Sequence, residues 1–130
     1  MADPVKIRVL VVDDASLVRM YYREALERAG YEVDEALNGL EALEKLLARP
    51  ADLLIVDVNM PQMDGFTFLA ALRGREPPLG ATPALVTTTE SGPQDLEAAR
   101  AAGANFYLVK PVTVEQLVAH VAALSGVRDG

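Results

Sequence analysis

Leu53-Leu54-Ile55-Val56-Asp57 places four apolar residues in a row and ends in one carboxylate. A run without polar alternation reads as a strand buried on both faces, and such strands belong to parallel sheets covered by helices on each side. This constrains the rest of the chain. It must supply further strands of the same kind, helices for both faces, and crossovers between them. The acid also acquires a place. Ligands bind at the C-terminal strand edge of open α/β sheets. Asp57 stands at that edge, followed by Val58-Asn59-Met60-Pro61-Gln62-Met63-Asp64-Gly65.

The other segments supply what is required. Lys6 to Val12 reads as a central strand with Asp13-Asp14 at its mouth. Ala15 to Ala29 is a helix, because Val18, Tyr22, Ala25, Leu26 and Ala29 recur at helical spacing. Gly30 closes it as a C′ residue. Glu32 to Ala36 is a short strand with Val33 inside. Gly39 to Arg49 is a helix with Leu40, Leu43, Leu46 and Leu47 as its apolar stripe, and Pro50 stops it. After the Asp57 strand, Phe66 to Leu72 forms a third helix with Phe66, Leu69 and Leu72 inward. Gly74 to Pro83 holds two Gly and three Pro and reads as a loop. Ala84 to Thr88 is a strand. Pro93 to Ala102 is a helix with Pro in its first turn, and Gly103 closes it. Phe106 to Val109 is the last strand, before Lys110-Pro111. Thr113 caps a final helix over about Val114 to Leu124, with Leu117, Val121 and Leu124 inward. Met1 to Pro4 and Ser125 to Gly130 read as frayed tails. Five βα units imply one α/β domain, a parallel sheet with helices on both faces.

The same pass puts Asp13, Asp14, Asp57, Thr88 and Lys110 at C-terminal strand ends. Gathered carboxylates repel one another, and a cation relieves this. The donors are all oxygen, and the chain has no Cys, so a hard ion fits, Mg²⁺ more than Zn²⁺. Mg²⁺ usually keeps waters and phosphate oxygens, so the site predicts a phosphoryl ligand. A carboxylate can attack phosphorus and form an aspartyl phosphate, with Lys110 as a compact point charge and Thr88 as a hydroxyl donor. Each residue alone also has an ordinary reading. Asp13-Asp14 would cap a helix, Asp57 would end a turn, Thr88 would be a β-former, and Lys110 a solvated strand end. The chain has only three Lys against nine Arg, and one falls at this edge. Joint placement, not any single residue, carries the site. The formal net charge of −7 argues against direct nucleic-acid binding, which needs a basic footprint. No apolar run approaches the ~20 residues of a membrane span, and the N-terminus lacks a signal-peptide pattern. The expectation is a cytoplasmic monomer without membrane contact.

Val11-Val12-Asp13-Asp14, the Asp57 to Gly65 stretch, Thr88-Thr89-Glu90 and Lys110-Pro111 together resemble the receiver domain of two-component response regulators, most of all the small chemotaxis regulators of the CheY type. The resemblance covers about Val5 to Leu124. It implies a single-domain flavodoxin-like (βα)5 fold with strand order 2-1-3-4-5. It implies Asp57 as phosphoacceptor, with Asp14, Asp57 and the Asn59 carbonyl on Mg²⁺ and Asp13 acting mainly through water. Thr88 would hydrogen-bond the phosphoryl group and Lys110 would pair with a phosphoryl oxygen. The bond before Pro111 would be cis. Tyr107 matches an aromatic switch position that turns inward as Thr88 moves, although ordinary strand packing would also place an aromatic there. Thr89 stands where the family often has Ala, and it would narrow access to the site. Asn59 and Glu90 would flank the attacking water and set the phosphoryl lifetime. The implied protein is a signalling phosphoacceptor rather than an enzyme. A histidine kinase or phosphotransfer protein would be the donor, and a downstream protein such as the flagellar motor switch the target. A receiver cut from a larger regulator would carry the same features. A Mg²⁺-dependent phosphohydrolase would need a second Asp where Asn59 stands. A flavodoxin-like cofactor binder would need a phosphate loop where Asp13-Asp14 stand.

Overall fold

The computed structural model describes residues 6–129, with side chains to residue 126. Five strands, β1 (Arg8–Val12), β2 (Glu32–Ala36), β3 (Leu53–Asp57), β4 (Ala84–Thr88) and β5 (Phe106–Val109), alternate with α1 (Ser16–Arg28), α2 (Gly39–Ala48), α3 (Gly65–Arg73), α4 (Pro93–Ala102) and α5 (Val114–Asp129). The sheet is parallel in the order β2-β1-β3-β4-β5, as the resemblance implies. All five residues of β3 are buried, as its unbroken apolar run requires.

Alternation along the strands sorts the core into two layers. Val9, Val11, Leu53, Ile55, Leu85 and Leu108 meet Tyr22 and Leu26 of α1 and Leu117 and Val121 of α5. On the other face, Leu10, Val12, Leu54, Val56 and Val86 meet Leu46 of α2 and Phe68, Leu69 and Leu72 of α3. Burying each of these large side chains contributes on the order of 1.5–3 kcal/mol.

The helix termini follow from local chemistry. The Asn38 side chain accepts from the Glu41 N–H at 2.9 Å and starts α2. Asp64 does the same for Thr67 at the start of α3, at 2.8 Å. Thr113 and Gln116 exchange side-chain-to-backbone hydrogen bonds at 3.1 and 3.0 Å, a reciprocal capping box for α5. Gly30 and Gly103 both have positive φ, 99° and 101°, as C′ residues in the left-handed region do.

Several expectations need correction. The leucine stripe read along α2 is rotated. Leu40 and Leu47 are about half exposed, and Gly39, Ala42 and Leu46 face inward, with Leu43 partly buried. The cause is the approach of α3. A Cβ at Gly39 would lie 2.7 Å from the Phe68 Cβ, so the small residues, not the leucines, must face Phe68. In α3, Phe66 is only half-buried and Phe68 is fully buried. Ala29 is exposed at the end of α1. β1 begins at Arg8 rather than Lys6. The loop from Gly74 to Pro83 contains a single 3-10 turn, Leu79–Ala81. The helix α5 continues past Leu124 to Asp129, with the Ser125 hydroxyl donating to the Val121 carbonyl at 2.7 Å. The tail read at Ser125 is therefore helical. The one read at Met1 to Pro4, and Gly130, lie outside the described residues.

The edge strand β2 carries Glu32, Asp34 and Glu35, and cations from three elements answer them. Arg8 pairs with Glu32 at 2.8 Å and Asp34 at 2.7 Å, Arg19 with Glu35 at 2.8 Å, Arg49 with Glu32 at 2.9 Å, and Arg23 also holds Glu35. Burial pushes the Asp34 and Glu35 carboxyls up, but hydrogen bonds outweigh it and leave both below their ordinary values: the Glu35 N–H and Arg8 act on Asp34, and Arg19 and Arg23 on Glu35. Carboxyls lowered by folding stabilise the protein above their unfolded values of roughly 4, and that contribution is lost as pH falls through the folded values. Thermal unfolding scanned downward from pH 5 should therefore show a shallower loss of Tm in the Asp34→Asn, Glu35→Gln double variant than in the wild type. Parallel curves would show that the pairs do not couple to folding.

Candidate functional site

Period-two alternation runs to the C-terminal ends of the strands and just beyond them. Val11 leads to Asp13, Ile55 to Asp57, Leu85 to Thr87 and Leu108 to Lys110, all on the α1/α5 side of the sheet. Asp13 is 1% and Asp57 6% exposed, while Asp14 is exposed at the rim. One carboxylate oxygen from each of the three lies within 4.8 Å of the others. The Lys110 ammonium bridges two of them, at 2.9 Å from Asp13 Oδ2 and 3.2 Å from Asp57 Oδ1. The Asp13 carboxylate also accepts from the Ala15 N–H at 2.9 Å, and Arg19 donates to the Asp13 carbonyl at 2.8 Å. These two bonds fix the β1–α1 turn.

The electrostatics are unbalanced. Burial pushes the Asp57 carboxyl above its ordinary value, the Asp13 charge pushes the same way, and Lys110 only partly opposes them. Burial works to lower the proton affinity of Lys110, but its hydrogen bond to Asp13 and the charges of Asp13 and Asp57 outweigh it and hold the ammonium above its ordinary value. Lys110 is therefore a cation here, not a base. Three carboxylates and one lysine leave negative charge unanswered. The donor set fits a hard divalent ion: three carboxylates at one edge, two of them buried, with neither His nor Cys in the group.

Thr88 and Tyr107 stand on the opposite face of the sheet, beside Val86 and the second core layer. The Thr88 oxygen accepts from the Glu90 N–H at 3.1 Å, and the Tyr107 hydroxyl donates to the Glu90 carbonyl. One peptide segment thus links the two expected switch residues. Thr89 and Glu90 are exposed. Thr89 lines an apolar cavity with Tyr22, Lys110 and Pro111, next to the acidic group. Asn59 is exposed in the β3–α3 loop. The Lys110-Pro111 bond is cis, as the resemblance implies.

Two contributions escaped sequence reasoning. The sequence pattern assigns Gly65 no role, yet a Cβ there would lie 2.3 Å from the Asp57 carbonyl oxygen, and its N–H donates to the Val58 carbonyl at 2.9 Å. Only glycine lets α3 begin against the Asp57 backbone. Thr87 and Tyr22 are the second. Thr87 pairs in register with Asp57, and Tyr22 comes up beneath the site from α1. Both residue types had ordinary readings as a strand former and a helix core residue.

A carboxyl raised by folding stabilises the protein below its unfolded value and loses that contribution as pH rises through the folded one. At neutral pH without divalent cations, ionised Asp57 therefore opposes folding. Asp57→Asn should raise Tm by roughly 2–5 °C at pH 7 in chelator, the range expected for about 1 kcal/mol in a domain of this size, and by less at pH 4. A lowered Tm at pH 7 would mean that Asp57 is held by favourable contacts.

Comparison with known proteins supplies the family. The response regulator receiver domain family matches residues 9–122. The chain is 40% identical over 117 residues to the transcriptional regulatory protein PrrA of Mycobacterium tuberculosis (strain ATCC 25618 / H37Rv), covering 90% of this chain and 49% of that protein. It is 37% identical over 121 residues to the sensor protein EvgS of Escherichia coli (strain K12), covering 93% of this chain and 10% of that protein. It thus spans about half the length of the first relative and about a tenth of the second. Among solved structures, the chemotaxis response regulator CheY4 of Vibrio cholerae superposes with a TM-score of 0.86 at 39% identity, covering 92% of this chain and 99% of that one. A putative response regulator from Chloroflexus aurantiacus J-10-fl gives 0.87 at 35% identity, covering 94% and 99%. With its parallel sheet in the order 2-1-3-4-5 and its acidic group at the strand edge, the chain belongs to the response regulator receiver domain family.

Proposed function

We propose that the protein is a phosphorylation-controlled signalling module in which Asp57 accepts a phosphoryl group from a phosphohistidine donor. The observation that carries this reading is the Lys110 ammonium spanning Asp13 and Asp57 within the three-carboxylate group. An Asp57 oxygen attacks phosphorus in line, the P–N bond of the donor breaks, and the protonated ring leaves as neutral imidazole. Lys110 then exchanges its Asp57 contact for a phosphoryl oxygen while keeping Asp13. Asp14 and Asp57, with the Asn59 carbonyl and Asp13 through water, would hold a Mg²⁺ ion, which when bound neutralises the phosphoryl oxygens.

Readout falls to Thr88. Its side chain turns so that the hydroxyl donates to the new group, the turned oxygen no longer accepts from the Glu90 N–H, and the Glu90 segment that also holds Tyr107 moves with it. Phosphorylation shifts the population only because the moved arrangement contacts the phosphoryl group better than the resting one. The output surface is then α4, β5 and α5, where Leu96, Phe106 and Val109 are 44%, 44% and 40% exposed. Its partner is a protein, in chemotaxis or another phosphorelay. Among the described residues no helix is long and apolar enough to cross a membrane.

Incubation with Mg²⁺ and a small phosphodonor should add one phosphoryl mass to the wild type and none to Asp57→Asn. Modification that persists in the variant would place the phosphoacceptor elsewhere. Thr89 narrows the approach beside Lys110, so Thr89→Ala should be modified faster by the same donor, roughly two- to fivefold if relief of crowding is worth about half to one kcal/mol. Equal rates would remove Thr89 from the access path.

A further inference from the structure

Thr87 has the one buried hydroxyl without a hydrogen-bond partner among the described residues. It is fully buried and its Cα is in register with Asp57 on the neighbouring strand. An unpaired buried hydroxyl is costly and is rarely kept without a use. The positions one step further from the edge on that face, Val11, Ile55 and Leu85, are apolar, while Asp57 stands beside Thr87; packing alone would accept a valine.

Tyr22 reaches the same point from α1. It is 2% exposed, its ring lies in the α1/α5 core layer, and it lines one cavity with Lys110 and Pro111. Thr87 Oγ1 makes no full hydrogen bond in this arrangement, but Thr87 lowers the proton affinity of Tyr22, as a donor to the phenol oxygen does. A tyrosine hydroxyl is protonated at neutral pH and is able both to accept and to donate. Lys110 carries three N–H donors. Two go to Asp13 and Asp57, and the third has no carboxylate among the described residues.

We propose that Tyr22 and Thr87 are positioning residues for phosphoryl transfer: the Thr87 hydroxyl donates to the Tyr22 oxygen, which also accepts the third Lys110 N–H and so holds the ammonium over Asp57. This rests on the reading of Asp57 as phosphoacceptor. When Lys110 exchanges Asp57 for a phosphoryl oxygen, Asp13 and Tyr22 remain as its fixed contacts. The ammonium then pivots instead of swinging free, which preserves the orientation on which in-line transfer depends.

The chain has three lysines, Lys6, Lys45 and Lys110, so nitrogen-15 resonances of the ammonium groups are a direct readout with internal controls. Tyr22→Phe and Thr87→Val each remove one hydroxyl and keep the shape. In both folded variants the Lys110 resonance should shift while those of Lys6 and Lys45 stay. Modification by a small phosphodonor should slow roughly three- to tenfold, the worth of one net hydrogen bond. The double variant should be no slower than the slower single one, because both hydroxyls act through one chain of contacts. If either single variant fails to fold, the other decides. A Lys110 resonance and a rate both matching the wild type in a folded variant would overturn the proposal. The lysine signal needs no phosphoryl transfer. A wild type that takes no phosphoryl group therefore defeats the phosphoacceptor reading separately, and the lysine signal still decides the Tyr22 contact.

Discussion

One ammonium holds the C-terminal edge of the sheet together. Without Lys110, the buried carboxylates of Asp13 and Asp57 would face each other in a poorly solvated site with no positive charge between them. The energy of two like charges at such a distance rises steeply as the local dielectric falls. The bridge at 2.9 and 3.2 Å makes the arrangement tolerable, not comfortable, since burial and Asp13 still push the Asp57 carboxyl up. The imbalance is the functional resource. In the proposed function, a site left with net negative charge would attract a divalent cation, and with that cation it would tolerate a phosphoryl group, to which the same lysine could transfer its contact.

The scaffold earns its role by rigidity on one side and freedom on the other. Asp57 closes a strand with every residue buried, and α3 begins directly against its carbonyl because Gly65 has no side chain. Asp13 is pinned by the Ala15 N–H and by Arg19. On the opposite face of the sheet, Thr88 and Tyr107 both depend on the single exposed segment at Glu90. The acidic group is therefore held in place, and in the proposed function a change at Asp57 is expressed through Thr88 and that segment. The ion pairs along β2 belong to a different task. They neutralise the acidic side chains of the edge strand farthest from β5.

Much of this was legible in the sequence for identifiable reasons. The unbroken apolar run before Asp57 announced a doubly covered strand, and the turn chemistry of Gly30, Gly103 and Thr113 marked helix ends where they occur. Strand ends carried Asp13, Asp57 and Lys110 to one edge of the sheet, although none of them was convincing alone. The leucine stripe of α2 misled because it counted apolar size, whereas the packed face is chosen by which residues are small enough to admit Phe68. Gly65 and Thr87 were opaque for a related reason. Their importance lies in the distance to the Asp57 backbone and in a register with Asp57, and both belong to the tertiary structure rather than to local pattern.

The most direct test of the central claim is a crystal structure of the protein treated with Mg²⁺ and beryllofluoride, a stable mimic of a phosphoryl group. The account predicts beryllium bonded to an Asp57 oxygen and Lys110 shifted from Asp57 to a fluorine while still on Asp13. It also predicts the Thr88 hydroxyl released from the Glu90 N–H and turned toward the fluoride. An unmodified Asp57, or a modified Asp57 with Lys110 making no contact to fluorine, would contradict it.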